Sequence, residues 1–235
     1  MNRARVAVVT GGNRGIGFEI CRQLAGLGMR VVLTARNPDA ARERAAALSP
    51  TGEVLPFPLD VTSTESVARL AEYVESQLGG ADVLVNNAAI FPAEDHAHGS
   101  LTLPLGAVRT TFETNVFGPW ALTQALVPGM QRRGYGRIVN MSSGLGGMSE
   151  MAGGFAGYRL SKAALNALTI ILASDLRDGD VLVNALYPGW VQTDMGGPLA
   201  PRTPAQGADT AIYLATLPTG GPTGKLFRDR EEVPW

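Results

Sequence analysis

The 235-residue chain predicts an α/β fold, a doubly wound Rossmann-type parallel sheet of about seven strands with helices on both faces. Three observations predict it. Short apolar runs alternate with longer helical patterns, about six times along the chain. The runs are near-continuously apolar, as strands buried on both faces require. The first of them opens straight into a glycine-rich turn, in VVTGGNRGIGFEI (8–20).

Each element follows in order. RVAVVT (5–10) is the first strand, and a helix runs from about Ile16 to Gly28. RVVLTA (30–35) is the second strand, followed by an alanine-rich helix over Ala40–Leu48 with Pro38 near its start. EVLPFPLD (53–60) carries two prolines and so reads as an irregular or edge strand. Ser63–Leu78 is a helix capped by Thr62 or Ser63, with Glu65 or Ser66 in its first turn. DVLVNNA (82–88) is the fourth strand, and one long helix covers about Leu105–Arg133. GRIVNMSS (136–143), a helix over Tyr158–Leu176 and VLVNALYP (181–188) come next. A short helix, Pro204–Leu217, and a last strand, GKLFRD (224–229), complete the series. No linker, low-complexity tract or fixed-period repeat divides the chain, so residues 1–235 read as one domain.

Composition narrows the classes of function. Lys plus Arg is 20 against 21 for Asp plus Glu, which gives no reason to expect nucleic acid or an anionic membrane as partner. The apolar run in MNRARVAVV is too short for a signal peptide or a spanning helix. Cys21 is the only cysteine, so no internal disulfide forms and a reducing, cytoplasmic setting is expected. Its place in an amphipathic helix reads as core. His96 and His98 share one loop far from Cys21 and read as surface residues, so no metal site is expected.

Ligands of such sheets sit at the carboxyl ends of the strands. The first loop there spaces Gly11, Gly15 and Gly17 as G-x-x-x-G-x-G, which lets a pyrophosphate approach the amino end of a helix. The second strand ends in Arg36, where an NAD site usually carries an acid for the ribose hydroxyl. Arg36 and Arg14 together suit the 2′-phosphate of NADPH/NADP+. Tyr158 and Lys162 stand four apart, on one face of a helix. A lysine held near a tyrosine lowers its pKa from about 10 and fits it for proton transfer to a carbonyl. Alone, Y-x-x-x-K is weak, because many helices supply it.

In combination the motifs are specific. TGGNRGIG (10–17), LDVT (59–62), NNAA (86–89), Asn115, NMSS (140–143), YRLSK (158–162) and YPGWVQTDM (187–195) occur in order at the expected strand ends. This series resembles the short-chain dehydrogenase/reductase family over essentially the whole chain, and its carbonyl-reductase-like members most. NNAA stands where NNAG is commoner, and GLGGMSEMAGGFAG (144–157) lacks the long helical insertion of some monomeric carbonyl reductases.

The resemblance implies roles. Tyr158 is the general acid, Lys162 binds the nicotinamide ribose and lowers the tyrosine pKa, Ser143 bonds the substrate oxygen, and Asn115 holds a water linking Lys162 to solvent. Gly11, Asn13, Arg14, Gly15, Ile16 and Gly17 form the pyrophosphate turn, with Arg36 at the adenosine ribose. Asp60 and Val61 contact adenine, Asn87 and Ala88 line the cofactor, and Pro188, Gly189, Val191 and Thr193 border the nicotinamide. Between these motifs Phe91, Leu145, Met151, Trp190 and Met195, with Pro92, Met148 and Phe155, offer apolar walls for a ketone or aldehyde. GGPLAPRTP (196–204) is a candidate lid.

The expected activity is NADPH-dependent reduction of a small-molecule carbonyl. An alcohol or hydroxysteroid dehydrogenase, a 3-oxoacyl reductase and an NADPH-sensing binding protein without turnover stand as alternatives. The resemblance also implies a homodimer or homotetramer, with a monomer left open.

Overall fold

Unbroken runs of buried residues set the architecture. Every residue of β1 (Val6–Val9), β4 (Val83–Asn86), β5 (Gly136–Met141) and β6 (Val181–Leu186) is buried, so neither face of these strands meets water. With β2 (Arg30–Ala35) they form the interior of a sheet that must be covered on both sides. The computed structural model describes residues 3–235, and among these eight strands join one sheet in the order β3-β2-β1-β4-β5-β6-β7-β8. The expectation drawn from MNRARVAVV includes Met1 and Asn2, which lie outside the described residues.

β3 (Val54–Pro58) lies at one edge, where Pro56 and Pro58 leave no neighbouring strand short of a donor. At the other end β7 (Leu226–Arg228) runs parallel to β6, and β8 (Glu231–Val233) folds back antiparallel. This eighth strand is one beyond the approximate seven expected. Its two-residue turn, Asp229-Arg230, holds φ of 50° and 65° without a glycine or asparagine to announce it. The turn is fixed from outside: the Arg230 N–H donates to Thr210 Oγ1 at 3.1 Å, and its guanidinium pairs with Asp209.

Helices α1 (Gly15–Gly26), α2 (Pro38–Leu48) and α8 (Pro204–Ala215) cover one face, with Ile20, Leu24, Leu33, Val85 and Leu214 in their shared core. On the other, α3 (Thr64–Leu78), α6 (Gly118–Arg133) and α7 (Ala156–Asp175) enclose Val8, Leu70, Leu84, Leu122 and Ile138. Ser63 caps α3 through the Ser66 N–H, and Thr203 with Gln206 makes a reciprocal capping box on α8.

The single helix expected over 105–133 is three pieces. α5 (Leu105–Phe112) passes through a π-helical turn, Glu113–Phe117, before α6 begins. The turn is centred on Asn115, whose side chain is engaged by another part of the chain. A five-residue helix, α4 (Ala93–Ala97), also precedes it, too short to register as a periodic pattern. β1 lies between β2 and β4, so the strand order reverses at their carboxyl ends. That reversal opens the crevice where this class of sheet binds its ligands.

Candidate active site

The crevice is a cleft of about 580 Å³. Gly11, Asn13, Arg14, Gly15, Ile16 and Gly17 line one end of it. α1 starts there with no side-chain cap on its first N–H groups and no acid in its first turn, which leaves those donors to an anion. The glycines also have an internal reason. A Cβ on Gly17 would lie 2.3 Å from the Gly11 carbonyl oxygen and 2.4 Å from Asn87 Nδ2. The turn therefore nests against Asn87, whose Nδ2 donates to the Thr10 and Gly11 carbonyls at 2.8 and 3.2 Å. Gly15 holds φ +53°, and a Cβ there would meet Thr193 Cγ2 at 3.0 Å.

Arg36 lines the same end with Asp60, Val61 and, unforeseen from sequence, Asn37. The Thr62 N–H and hydroxyl donate to Asp60 and hold its carboxyl below the usual carboxylate range, against a smaller opposing effect of burial, with Arg36 adding its charge. Arg14 reaches across to Asp194 at 2.6 Å, an exposed pair that ties the turn to the loop after β6. Ala88, Pro188 and Thr193 complete the cofactor wall among the expected residues. Gly189 and Val191 do not line the cleft. Val191 is buried and bridges to Arg202, and the Arg202 side chain lies over Gly189, so both shape the loop from behind.

At the other end stand Tyr158 and Lys162, one turn apart on α7 and both buried. Burial pushes the Tyr158 hydroxyl up to about 12, although the neighbouring Ser143 hydroxyl pulls the other way. Burial brings Lys162 down to about 8. Its Nζ donates to the Met141 carbonyl at 2.7 Å and lies 5.5 Å from the centroid of the Tyr158 ring. Burial dominates for both groups in this arrangement. Of the two serines, Ser142 lines the cleft but spends its hydroxyl on Asn166; Ser143, behind the lining, accepts the Leu145 N–H and stands beside Tyr158.

Asn115 is buried and its side-chain amide makes three bonds within the protein. Oδ1 accepts the Ile90 N–H at 2.9 Å, and Nδ2 donates to the Ile90 carbonyl and to Ser161 Oγ. Both amide hydrogens are thus used within the protein, and a water held at this residue would bond the second lone pair of Oδ1 or the main chain. Ser161 in turn donates to the Tyr158 carbonyl at 2.7 Å. Asp95 and Asn166, outside every motif of the sequence, also support the site: Asp95 accepts the Gly157 and Tyr158 N–H groups, and Asn166 accepts from Ser142.

The apolar wall needs correction. Met195 lines the cleft, together with Ile90, Thr110 and Thr114. Phe91 instead stacks on the Tyr158 ring, at 4.2 Å between centroids and 20° between planes. Trp190 turns outward, 56% exposed, with Nε1 bonded to the Gly196 carbonyl. Leu145 sits in a 3₁₀ turn whose carbonyl Arg159 holds, and Met151 lies on the exposed loop before α7. Loop side chains carry no periodicity from which their direction can be read. His96 is exposed as expected, its ring tilted against Phe91 with centroids 4.2 Å apart, and no three candidate metal ligands cluster among the described residues.

A parallel sheet reversing at β1 and β4, a glycine turn there and a buried tyrosine–lysine pair beside a serine define a nucleotide-dependent oxidoreductase fold. The family model for short chain dehydrogenase matches residues 5–203, and the chain belongs to that family. It is 34% identical to carbonyl reductase [NADPH] 1 of Sus scrofa, over 100% of this chain and 95% of that one. It is 33% identical to (-)-isopiperitenone reductase of Mentha piperita, over 96% and 97%. The structure of NADPH-bound carbonyl reductase from chicken fatty liver superposes with a TM-score of 0.86 at 30% identity, covering 100% of both chains.

Proposed function

We propose that the protein reduces ketone or aldehyde carbonyls on apolar small molecules to alcohols, with NADPH as hydride donor and Tyr158 as proton donor. One observation carries this reading: a single cleft joins the Tyr158–Lys162 pair to an uncapped glycine turn flanked by Arg14 and Arg36. The cleft fits the cofactor by its chemistry. Free helix N–H groups suit a pyrophosphate, and two guanidiniums suit a 2′-phosphate.

NADPH supplies the hydride to the carbonyl carbon when bound. Tyr158 gives its proton to the carbonyl oxygen, and Ser143 bonds that oxygen and orients it. A hydroxyl pushed up to about 12 is a phenol at neutral pH, the acid form that reduction needs. Lys162 is poised to hold the nicotinamide ribose, and Met195 and Ile90 supply apolar contact for substrate. In the same reading residues 1–235 act as one domain, and buried Cys21, its thiol pushed up by burial, suits a cytoplasmic, reducing setting. Phe117 and Trp120 near the start of α6, with Leu160, Ile170 and Ile171 on α7, are exposed apolar residues through which copies would pair as a dimer or tetramer.

The test is the rate of NADPH and NADH oxidation at about 340 nm with a panel of aldehydes, ketones and diketones. Turnover that prefers NADPH is expected, and Tyr158→Phe should lower it at least about hundredfold while NADPH still binds. Folded protein that binds NADPH and reduces nothing would favour a binding protein without turnover. A Tyr158→Phe rate within about tenfold of wild type would remove the tyrosine from its role. No helix among the described residues is long and apolar enough to cross a membrane.

A further inference from the structure

The helix that carries Tyr158 starts in an unusual way. Its first flanking residue, Phe155, holds φ of 54° and provides no side-chain cap. A helix start leaves its first N–H groups without partners, and a serine, threonine, aspartate or asparagine at that position usually serves them. Here a residue from another part of the chain, 62 and 63 positions upstream of them, serves two of them. Asp95 Oδ1 accepts the Gly157 N–H at 2.9 Å, and Oδ2 accepts that of Tyr158 itself at 2.7 Å.

Asp95 belongs to the short helix α4 and is 3% exposed, an expensive place for a carboxylate unless its bonds are needed. Gly157 makes room for it, since a Cβ there would lie 3.0 Å from Oδ2. The same stretch of chain holds the tyrosine ring, because Phe91 stacks on it. The stretch is itself anchored by Asn115, which bonds both the N–H and the carbonyl of Ile90. Tyr158 is thus held at its N–H by Asp95, at its ring by Phe91 and at its carbonyl by Ser161.

We propose that Asp95 is a positioning residue for the reaction: as a remote cap it fixes where α7 begins, and so where the Tyr158 hydroxyl stands against substrate. The inference rests on the reading of Tyr158 as proton donor. A local cap would satisfy the same N–H groups but would not tie the first turn of α7 to the loop after β4. Displacing a reacting group by about 1 Å can cost on the order of hundredfold in rate.

The experiment measures kcat, KM, NADPH affinity and thermal midpoint for Asp95→Asn, Asp95→Glu and Tyr158→Phe, and for each Asp95 change combined with Tyr158→Phe. Asp95→Asn loses one acceptor. Asp95→Glu keeps the charge and both oxygens but moves them by one methylene, so it is read alone if the asparagine variant does not fold. Either change is expected to lower kcat at least tenfold, with NADPH affinity within about twofold of wild type. In the Tyr158→Phe background the same change should alter the residual rate less than twofold, because there is no hydroxyl left to misplace. Asp95 variants with wild-type kcat, an equal fold-loss in both backgrounds, or loss of NADPH binding in both variants would each overturn the proposal. If Tyr158→Phe keeps its turnover, the proton-donor reading itself fails; if only the Asp95 variants keep theirs, the positioning role alone fails.

Discussion

Tyr158 and Lys162 share one environment and respond to it in opposite directions, because burial disfavours the charged form of each. For Lys162 this is a cost to the fold. Its ordinary value is 10.5, and burial brings it to about 8. Between those values the unfolded chain binds more protons than the native protein, so stability rises with pH across that window. Below about 8 both states are protonated and the full cost is present. Lys162→Met should therefore be the more stable protein below pH 8, by on the order of 3 kcal/mol, and this advantage should shrink towards pH 10.5. Urea unfolding of both proteins across that range checks it, and a gap that does not change with pH would mean that Lys162 does not titrate there. At the far end of the cleft, Arg36→Ala should weaken NADPH binding about tenfold or more and NADH binding little, since the charge-assisted bonds lost are those to a 2′-phosphate. Titration with both nucleotides decides this, and equal weakening would show that Arg36 does not read the phosphate.

Elements here meet by close backbone approach, and Gly17 is where that approach is tightest. A methyl group 2.3 Å from the Gly11 carbonyl oxygen cannot be accommodated without moving α1 from the turn. Gly17→Ala should cost about 1–3 kcal/mol or more by overpacking and should weaken NADPH binding as well, measurable by thermal unfolding with and without the nucleotide. That glycine is legible in the sequence because its tightest constraint, the Gly11 carbonyl, is local, as are the Tyr158–Lys162 spacing, the buried strands and the edge position implied by Pro56 and Pro58. What stayed hidden depends on distant partners. The π-turn at Asn115 answers to Ile90, 25 residues away. The β7–β8 hairpin relies on Asp209 and Thr210 rather than on a glycine of its own. Asp95 sits in a helix of one turn, and nothing around it in the chain points to α7. The directions of Phe91 and Trp190 stay hidden for a related reason: in a loop, side-chain direction comes from tertiary packing.

The cleft draws on both halves of the sheet, and this has a consequence for the molecule as a whole. Gly11 to Gly17, Arg36 and Asp60 come from β1–β3, while Met141, Tyr158, Lys162, Pro188 and Thr193 come from β5, α7 and the loop after β6. In the free protein the polar contact between the halves here is the exposed Arg14–Asp194 pair, of a kind worth little in water, beside the packing of Gly15 on Thr193. A nucleotide laid along the cleft would add contacts to both halves that exist only in the native state. NADPH at about one hundred times its dissociation constant should therefore stabilise the protein by about 2.7 kcal/mol, which for a chain of this size raises the thermal midpoint by about 5–10 °C. NADH at the same concentration should raise it less, in the ratio set by Arg14 and Arg36. Arg36→Ala should bring the two shifts together without moving the midpoint of the free protein, because Arg36 is exposed. A thermal scan of wild type and variant with each nucleotide reads all four values. Equal shifts in the wild type would mean that the two arginines do not discriminate, and no shift with either nucleotide would mean that the cleft does not bind them.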